Sequence, residues 1–335
     1  MNRRYWADAT RVIASFMVVM IHVCGVGWYS MESSGSQWWT VNILDSLCRC
    51  CVPLFFMLSG ALQLSREPTA GNIVQKALKL MLLWVLASGG YALLNEDAAE
   101  LLTHPIYFLQ VLLNSHYHLW FLSTMACIYL LIPVFKALVS YEKGKWVPWY
   151  LAVFFLFGIV RPSLNFIPVK HELWWALPRV MVPELCQYSG YFVLGWYLAQ
   201  NDKKADKRIC AAGIVLAAAV IAVGTHFWSL TGESNDERMY AYLSLPVFIQ
   251  AVCAFLLAKE LRPGKETKTV EALSKLTLGI YLIHPAVIDV LAGVGISVFK
   301  MHRIASVPLV AALSFVLSAV CAWLLRKIPI IKKLL

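Results

Sequence analysis

The sequence predicts an all-helical, polytopic integral membrane protein of about ten transmembrane helices with both termini in the cytoplasm. Three observations predict it: an apolar composition, a series of apolar runs long enough to cross a membrane, and a one-sided distribution of Lys and Arg. Of 335 residues, 60% are hydrophobic and 14% charged, and the mean hydropathy is +0.66. Soluble domains carry about 25% charged residues. At this hydropathy, helices are the way a chain satisfies its own backbone within lipid.

The first run, 10–29, follows Arg3 and Arg4. No small-residue cleavage site follows Cys24, so the run reads as a retained span rather than a signal peptide. Runs of about 18 residues or more, the length that crosses the hydrocarbon core, continue at 44–64, 73–94, 117–139, 182–200, 209–229, 241–261, 275–298 and 304–325. A shorter tenth, 146–164, ends at Arg161-Pro162. Thirteen Trp and fourteen Tyr suit a chain with many interfacial belts.

With the loops assigned alternately, 21 of the 29 Lys and Arg residues fall on the side that holds both termini and six on the other, with Arg11 and Arg49 inside spans. The excess of positive charge marks the cytoplasmic side. The stretches 30–43 and 95–116 read as outer loops and contain no Lys or Arg. Residues 1–335 read as a single membrane-embedded domain with no appended soluble domain. The expected partners are membrane lipids, not nucleic acid. Nine cysteines, one cluster of which (Cys48-Arg49-Cys50-Cys51) lacks CxxC spacing, read as buried, unpaired apolar side chains with no metal implied.

Ionisable residues at membrane depth are costly and mark candidate sites. In ADATRVIASFMVVMIHV (7–23), ten uncharged residues separate Arg11 from His22. Eleven helical steps return His22 to within about 20° of the face of Arg11, roughly 16 Å further along the axis. Arg49, Lys76 and Lys79 add cations, while carboxylates are sparse in the runs: Asp8, Asp45, Glu184 and Asp289. This pattern suits an anion approaching from the cytoplasm rather than a carboxylate relay for a coupled carrier. His22 and His284 fall at comparable depths in spans of the same direction, and His116 and His118 sit at the outer mouth of the fourth span. Each has a structural alternative: His284 bonded across helices beside Pro285, Lys76 and Lys79 snorkelling to head groups, His118 and Trp120 as interfacial anchors, Glu184 as a helix cap.

Asp8-x-x-Arg11, ten residues to His22, VPLFFMLSG (52–60), a basic pair three apart, HLWFL (118–122) and LGIYLIHP (278–285) follow one another in this order. In that series the chain resembles the bacterial acyltransferase-3 family of inner-membrane O-acyltransferases, from residue 5 to about 325. The resemblance implies about ten spans, acetyl-CoA as the acyl donor used from the cytoplasmic side, and a sugar of a cell-surface glycan or its lipid-linked precursor as acceptor. It departs at the basic pair, which is typically arginine and here is Lys76 and Lys79. Lysine neutralises a phosphate without the planar fork of arginine.

On that resemblance, Arg11, Arg49, Lys76 and Lys79 are expected to hold the phosphates of the donor at the inner mouth. The pantetheine arm then runs outward to His22, which acts as general base or as transient acyl carrier. Glu184, Tyr188, Tyr281 and His284 are candidates to orient the His22 ring or bind the acceptor, and His118 and Trp120 to meet the sugar at the outer mouth. A transporter or flippase for a lipid-linked or anionic substrate is the alternative that the basic mouth also fits, and a sensor or assembly partner without chemistry is a third.

Overall fold

A computed structural model of the chain describes residues 5–67, 69–164, 166, 182–201, 204–232, 234–262 and 267–335, without the side chains of 30, 102 and 182–186. The described residues are helical throughout their ordered elements, with no strand. In chain order the helices are α1 (Tyr5–Gly25), α2 (Ser36–Cys48), α3 (Cys51–Gln63), α4 (Ala70–Asn95), α5 (Ala98–Thr103), α6 (Pro105–Asn114), α7 (Trp120–Leu130) and α8 (Ile132–Ser140). Next come α9 (Val147–Val153), joined by a π-helical stretch Phe154–Val160 to α10 (Arg161–Leu164), then α11 (Val182–Gln200), α12 (Lys207–Thr231) and α13 (Leu245–Lys259). The last are α14 (Thr267–Ser274), α15 (Thr277–Gly293), α16 (Arg303–Leu325) and α17 (Pro329–Leu334).

Among the described residues, seven helices are long and apolar enough to cross a membrane, or nine if each of two bent pairs is one span. Their outward faces are apolar, as lipid requires: Leu78 and Leu86 on α4, Leu216 and Val220 on α12, and Leu309 and Val316 on α16 are exposed. The remaining expected span, 182–200, is α11. It lies inside the bundle, with Tyr191, Phe192 and Val193 wholly buried, so helices rather than lipid surround it and its polar residues are tolerated. Gly60 and Gly195 bring it onto α3. A Cβ at Gly60 would sit 1.7 Å from the Phe192 carbonyl oxygen, and one at Gly195 1.9 Å from that of Met57. Only small residues permit such contact of two backbones.

Three expectations change. The second span starts at Ser36 rather than near 44 and is broken at Arg49 and Cys50. Gln250 donates to the carbonyls of Ser46 (2.9 Å) and Leu47 (3.3 Å), so two of the last acceptors of α2 are satisfied inside the bundle. The fourth span bends by 52° between α7 and α8, where Pro133 lacks the N–H that would continue the helix. The stretch 95–116, read as a loop, holds α5 and α6, the first capped by Asp97 and the second opened by Pro105. The ten residues of α6 are too few to span, so the length criterion passes over it.

The helix α1 is the hub, packing against α2, α3, α13, α14, α15 and α16. At one end of the bundle, Lys136 donates to the Leu64 carbonyl (3.2 Å), Lys259 to those of Leu198 (2.5 Å) and Asn201 (2.7 Å), and Gln200 to Ser65 (3.2 Å). Cations at helix C-termini complete orphan carbonyls and favour the helix dipole. At the other end, Asn42 donates to the Ala222 carbonyl (2.8 Å) and accepts from the Tyr240 hydroxyl (2.6 Å), tying α2, α12 and the segment before α13.

Candidate active site

A cleft of about 250 Å³ runs along α1 and is lined by Arg11, Val18 and His22, spaced so that all three share one helical face. Phe55, Ser59 and Gln63 of α3, Phe121, Met125 and Tyr129 of α7, and Thr277, Leu278 and Tyr281 of α15 complete its walls. The lining is mostly apolar and aromatic with a few convergent polar groups, the general form of a small-molecule site.

Three histidine rings from separate segments meet at the end of the cleft. The His22 ring centroid is 5.0 Å from that of His284 and 6.3 Å from that of His118, and the latter two are 5.5 Å apart. His116 joins through a 2.8 Å contact between its Nδ1 and that of His118. The Tyr117 ring packs 5.1 Å from His22. His118 is buried, 3% exposed, so it is an interior group rather than an interfacial anchor. Among the described residues no three His, Cys, Asp or Glu side chains are arranged to hold a metal ion.

Pro285 determines how His284 is held. A proline at 285 supplies no N–H to the Tyr281 carbonyl four residues back. His284 Nδ1 donates there instead, at 2.8 Å, and to the Ile280 carbonyl at 3.1 Å. The ring is thus bonded within its own helix, not across helices as the sequence suggests. With Nδ1–H committed, Nε2 of the neutral ring is an acceptor, and it is buried with no partner. Tyr91 of α4 braces the kink: its hydroxyl donates to the Leu282 carbonyl (2.9 Å) and receives the Ala286 N–H (3.4 Å). Tyr281 reaches the other way and donates its hydroxyl to the His118 carbonyl. One turn of α15 therefore positions two of the three rings.

Arg11 stands at the opposite end of the cleft. Its Nη1 donates to Asp8 Oδ1 and to Ser274 Oγ, both at 2.9 Å, and Ser274 donates to Asp8 at 2.6 Å. Ser274 ends α14, where the chain turns by 66° into α15. Beyond Arg11 lies a second hollow of about 220 Å³, lined by Asp8, Arg11, Arg66, Glu271 and Lys275 among others.

The other candidates divide. Lys76 donates to Gln63 of the cleft wall (2.8 Å), while Lys79 is half-buried on α4 and touches neither hollow. Arg49 is not at the mouth with them. It sits at the α2–α3 break in the middle of its span, hydrogen-bonded through Nη2 to Asp45 (2.7 Å), ion-paired with the same carboxylate at 2.5 Å from Nε, and lying 3.9 Å over the Tyr240 ring. Its carboxylate partner four residues earlier holds it there, and it lines neither the cleft nor the hollow beyond Arg11. Trp120 lines the cleft, and the Tyr188 ring lies tilted against it with centroids 5.0 Å apart. Glu184 lies in the first turn of α11 and its side chain is outside the described residues. Sequence reasoning missed Tyr129, Gln63 and Tyr242 as wall residues and Ser274 as the partner of Arg11, since nothing local distinguishes them. It named Asp45 but did not pair it with Arg49, although the i, i+4 spacing was in view. The eight cysteines with described side chains form no disulfide, and Cys127 is exposed rather than buried.

The described residues thus form a multi-pass helical bundle that encloses a cleft ending in histidines. The chain belongs to the acyltransferase-3 family: the family model described as the acyltransferase domain matches residues 4–327. No curated protein and no solved structure matches it.

Proposed function

We propose that the protein is an O-acetyltransferase of a bacterial inner membrane, moving an acetyl group from cytosolic acetyl-CoA to a sugar hydroxyl of a cell-surface glycan or its lipid-linked precursor. The observation that carries the reading is the single cleft with Arg11 and His22 on one face of α1. The cleft suits a narrow acetyl-pantetheine arm and is too small for the nucleotide head, which stays at the hollow beyond Arg11. The stretches CVPLFFMLSGAL (51–62) and HYHLWFL (116–122) resemble the enterobacterial common antigen O-acetyltransferase, and that likeness supports a surface glycan as acceptor.

In the one-step form, the acceptor oxygen adds to the thioester carbonyl while a His22 nitrogen takes the hydroxyl proton. Collapse expels the CoA thiolate, which takes that proton back from the imidazolium. In the two-step form, the lone pair of one His22 nitrogen attacks the thioester carbonyl and expels the CoA thiolate, which takes the proton of the other ring nitrogen. The acceptor hydroxyl then attacks the acetyl-imidazole, and its proton passes to the departing ring to restore neutral His22. In either, the open Nε2 of His284 beside the His22 ring is placed to receive its N–H and steady the charge. General base catalysis contributes about 10²–10⁴-fold. His22→Ala, expressed to the wild-type level in the membrane, is expected to lose acetylation of the glycan by that factor. Normal acetylation would end this mechanism, and purified protein that moves an anion across vesicles without consuming acetyl-CoA would make it a transporter.

A further inference from the structure

We propose that the cavity on the far side of Trp120 and Tyr242 is the acceptor site, and that it takes an uncharged, hydroxyl-rich sugar ring in preference to an anionic one. The assignment rests on the acetyltransferase reading above. The cavity, about 340 Å³, is lined by Arg49, Trp120, Tyr188, Glu237, Tyr240 and Tyr242 among others. Trp120 and Tyr242 line the donor cleft as well and stack on each other with centroids 5.9 Å apart. Two aromatic side chains are therefore the shared wall between the two spaces, and a turn of Trp120 opens one to the other.

The lining has the chemistry of carbohydrate recognition. Flat aromatic faces meet the apolar face of a sugar ring, and convergent polar groups meet its hydroxyls. The hydroxyls of Tyr188 and Tyr242 bond to no other described residue. The scaffold behind them is held by contacts from three directions. Tyr191 donates to the Tyr242 carbonyl (2.7 Å), Tyr188 stacks on Phe56 with centroids 4.9 Å apart, and the Tyr240 hydroxyl is bonded to Asn42 (2.6 Å).

Charge decides the class of sugar. The Arg49 guanidinium is neutralised by its ion pair with Asp45, and Glu237 adds a negative charge to the lining. Arg238 is turned away, paired with Asp236 at 2.7 Å and lying over Trp228. Among the described residues the cavity thus offers an anion no uncompensated cation, and a phosphate or uronate there would meet a carboxylate across a mostly apolar space.

The test uses the full-length protein in detergent with radiolabelled acetyl-CoA. The acceptor is a glycan extract of the host membrane, released from its lipid anchor by mild acid, stripped of esters by mild alkali and split by anion exchange into neutral and anionic fractions. Label is expected in the neutral fraction. Tyr188→Phe and Glu237→Gln preserve shape, and each is expected to raise the KM for the neutral acceptor about tenfold while the KM for acetyl-CoA stays put. Unchanged acceptor KM in both variants, or label entering mainly the anionic fraction, overturns the assignment. Wild-type protein that releases no CoA with either fraction overturns the acetyltransferase reading itself, a result distinct from release that ignores Tyr188 and Glu237.

Discussion

The Nδ1 atom of His284 lies 2.8 Å from the carbonyl oxygen of Tyr281, an oxygen left open because residue 285 is proline. A helix break and a side-chain tautomer are thus one feature. Pro285→Ala restores an N–H aimed at the same carbonyl, so the ring loses its exclusive hold and its Nε2 lone pair is no longer assured. The expected outcome is a fall in kcat of about tenfold, roughly the loss of one hydrogen bond's orientation, with the acetyl-CoA KM retained. Initial rates of the purified variant measure it, and an unaltered kcat would mean that something other than the kink orients the ring.

Arg11 shows why a charge can be conserved in sign and still fail. Its guanidinium grips Asp8 and Ser274 together, both at 2.9 Å, joining α1 to the α14–α15 turn. Lysine keeps the charge but offers no planar fork. Arg11→Lys is expected to raise the acetyl-CoA KM about tenfold, near 1.4 kcal/mol, and to lower kcat less. Equal loss in both parameters would place Arg11 in the chemical step instead.

The sequence makes local relationships plain and hides distant ones. Arg11 and His22 share a face by helical periodicity alone, and the depths of His22 and His284 follow from span direction, so the two ends of the cleft were legible. Arg49 was misread as part of the inner mouth because the break that strands it in mid-span depends on Gln250 and Tyr240, about 200 residues away in sequence. Ser274 and Tyr242 look like any residues of their type until the chain folds them against Arg11 and Trp120. The span 182–200 was recognised by its length, but its interior position depends on Gly60 and Gly195 meeting across two helices.

Those two glycines give a stability prediction. A methyl at Gly60 or Gly195 would meet carbonyl backbone at under 2 Å, and backbone cannot step aside as a side-chain tip can. Gly60→Ala and Gly195→Ala are each expected to destabilise the bundle by about 1–3 kcal/mol or more and to lower the detergent-solution Tm. Gly71→Ala, where an added Cβ meets nothing within 4 Å, is the control and is expected to leave Tm unchanged. A Tm unaffected by the first two would mean that α3 and α11 do not pack this closely.

The hollow beyond Arg11 yields the prediction that separates head from arm in donor binding. Arg66 and Lys275 line it, Lys275 being paired at 3.0 Å with Glu271 and both cations being exposed. If the phosphates of CoA rest there, Arg66→Met and Lys275→Met each remove a charge-assisted contact that water and salt already weaken, a rise in acetyl-CoA KM of roughly three- to tenfold. Acetyl-pantetheine carries the same thioester and arm without the nucleotide, so its KM is expected to be the same for both variants and the wild type. Raising the salt concentration is expected to weaken acetyl-CoA and leave acetyl-pantetheine alone, because screening acts on the exposed charges and not on the apolar cleft. A parallel rise in KM for the two donors would instead mean that these cations shape the mouth of the cleft rather than bind the head, and the donor's phosphates would then belong with Lys76 and Lys79 on the neighbouring helix.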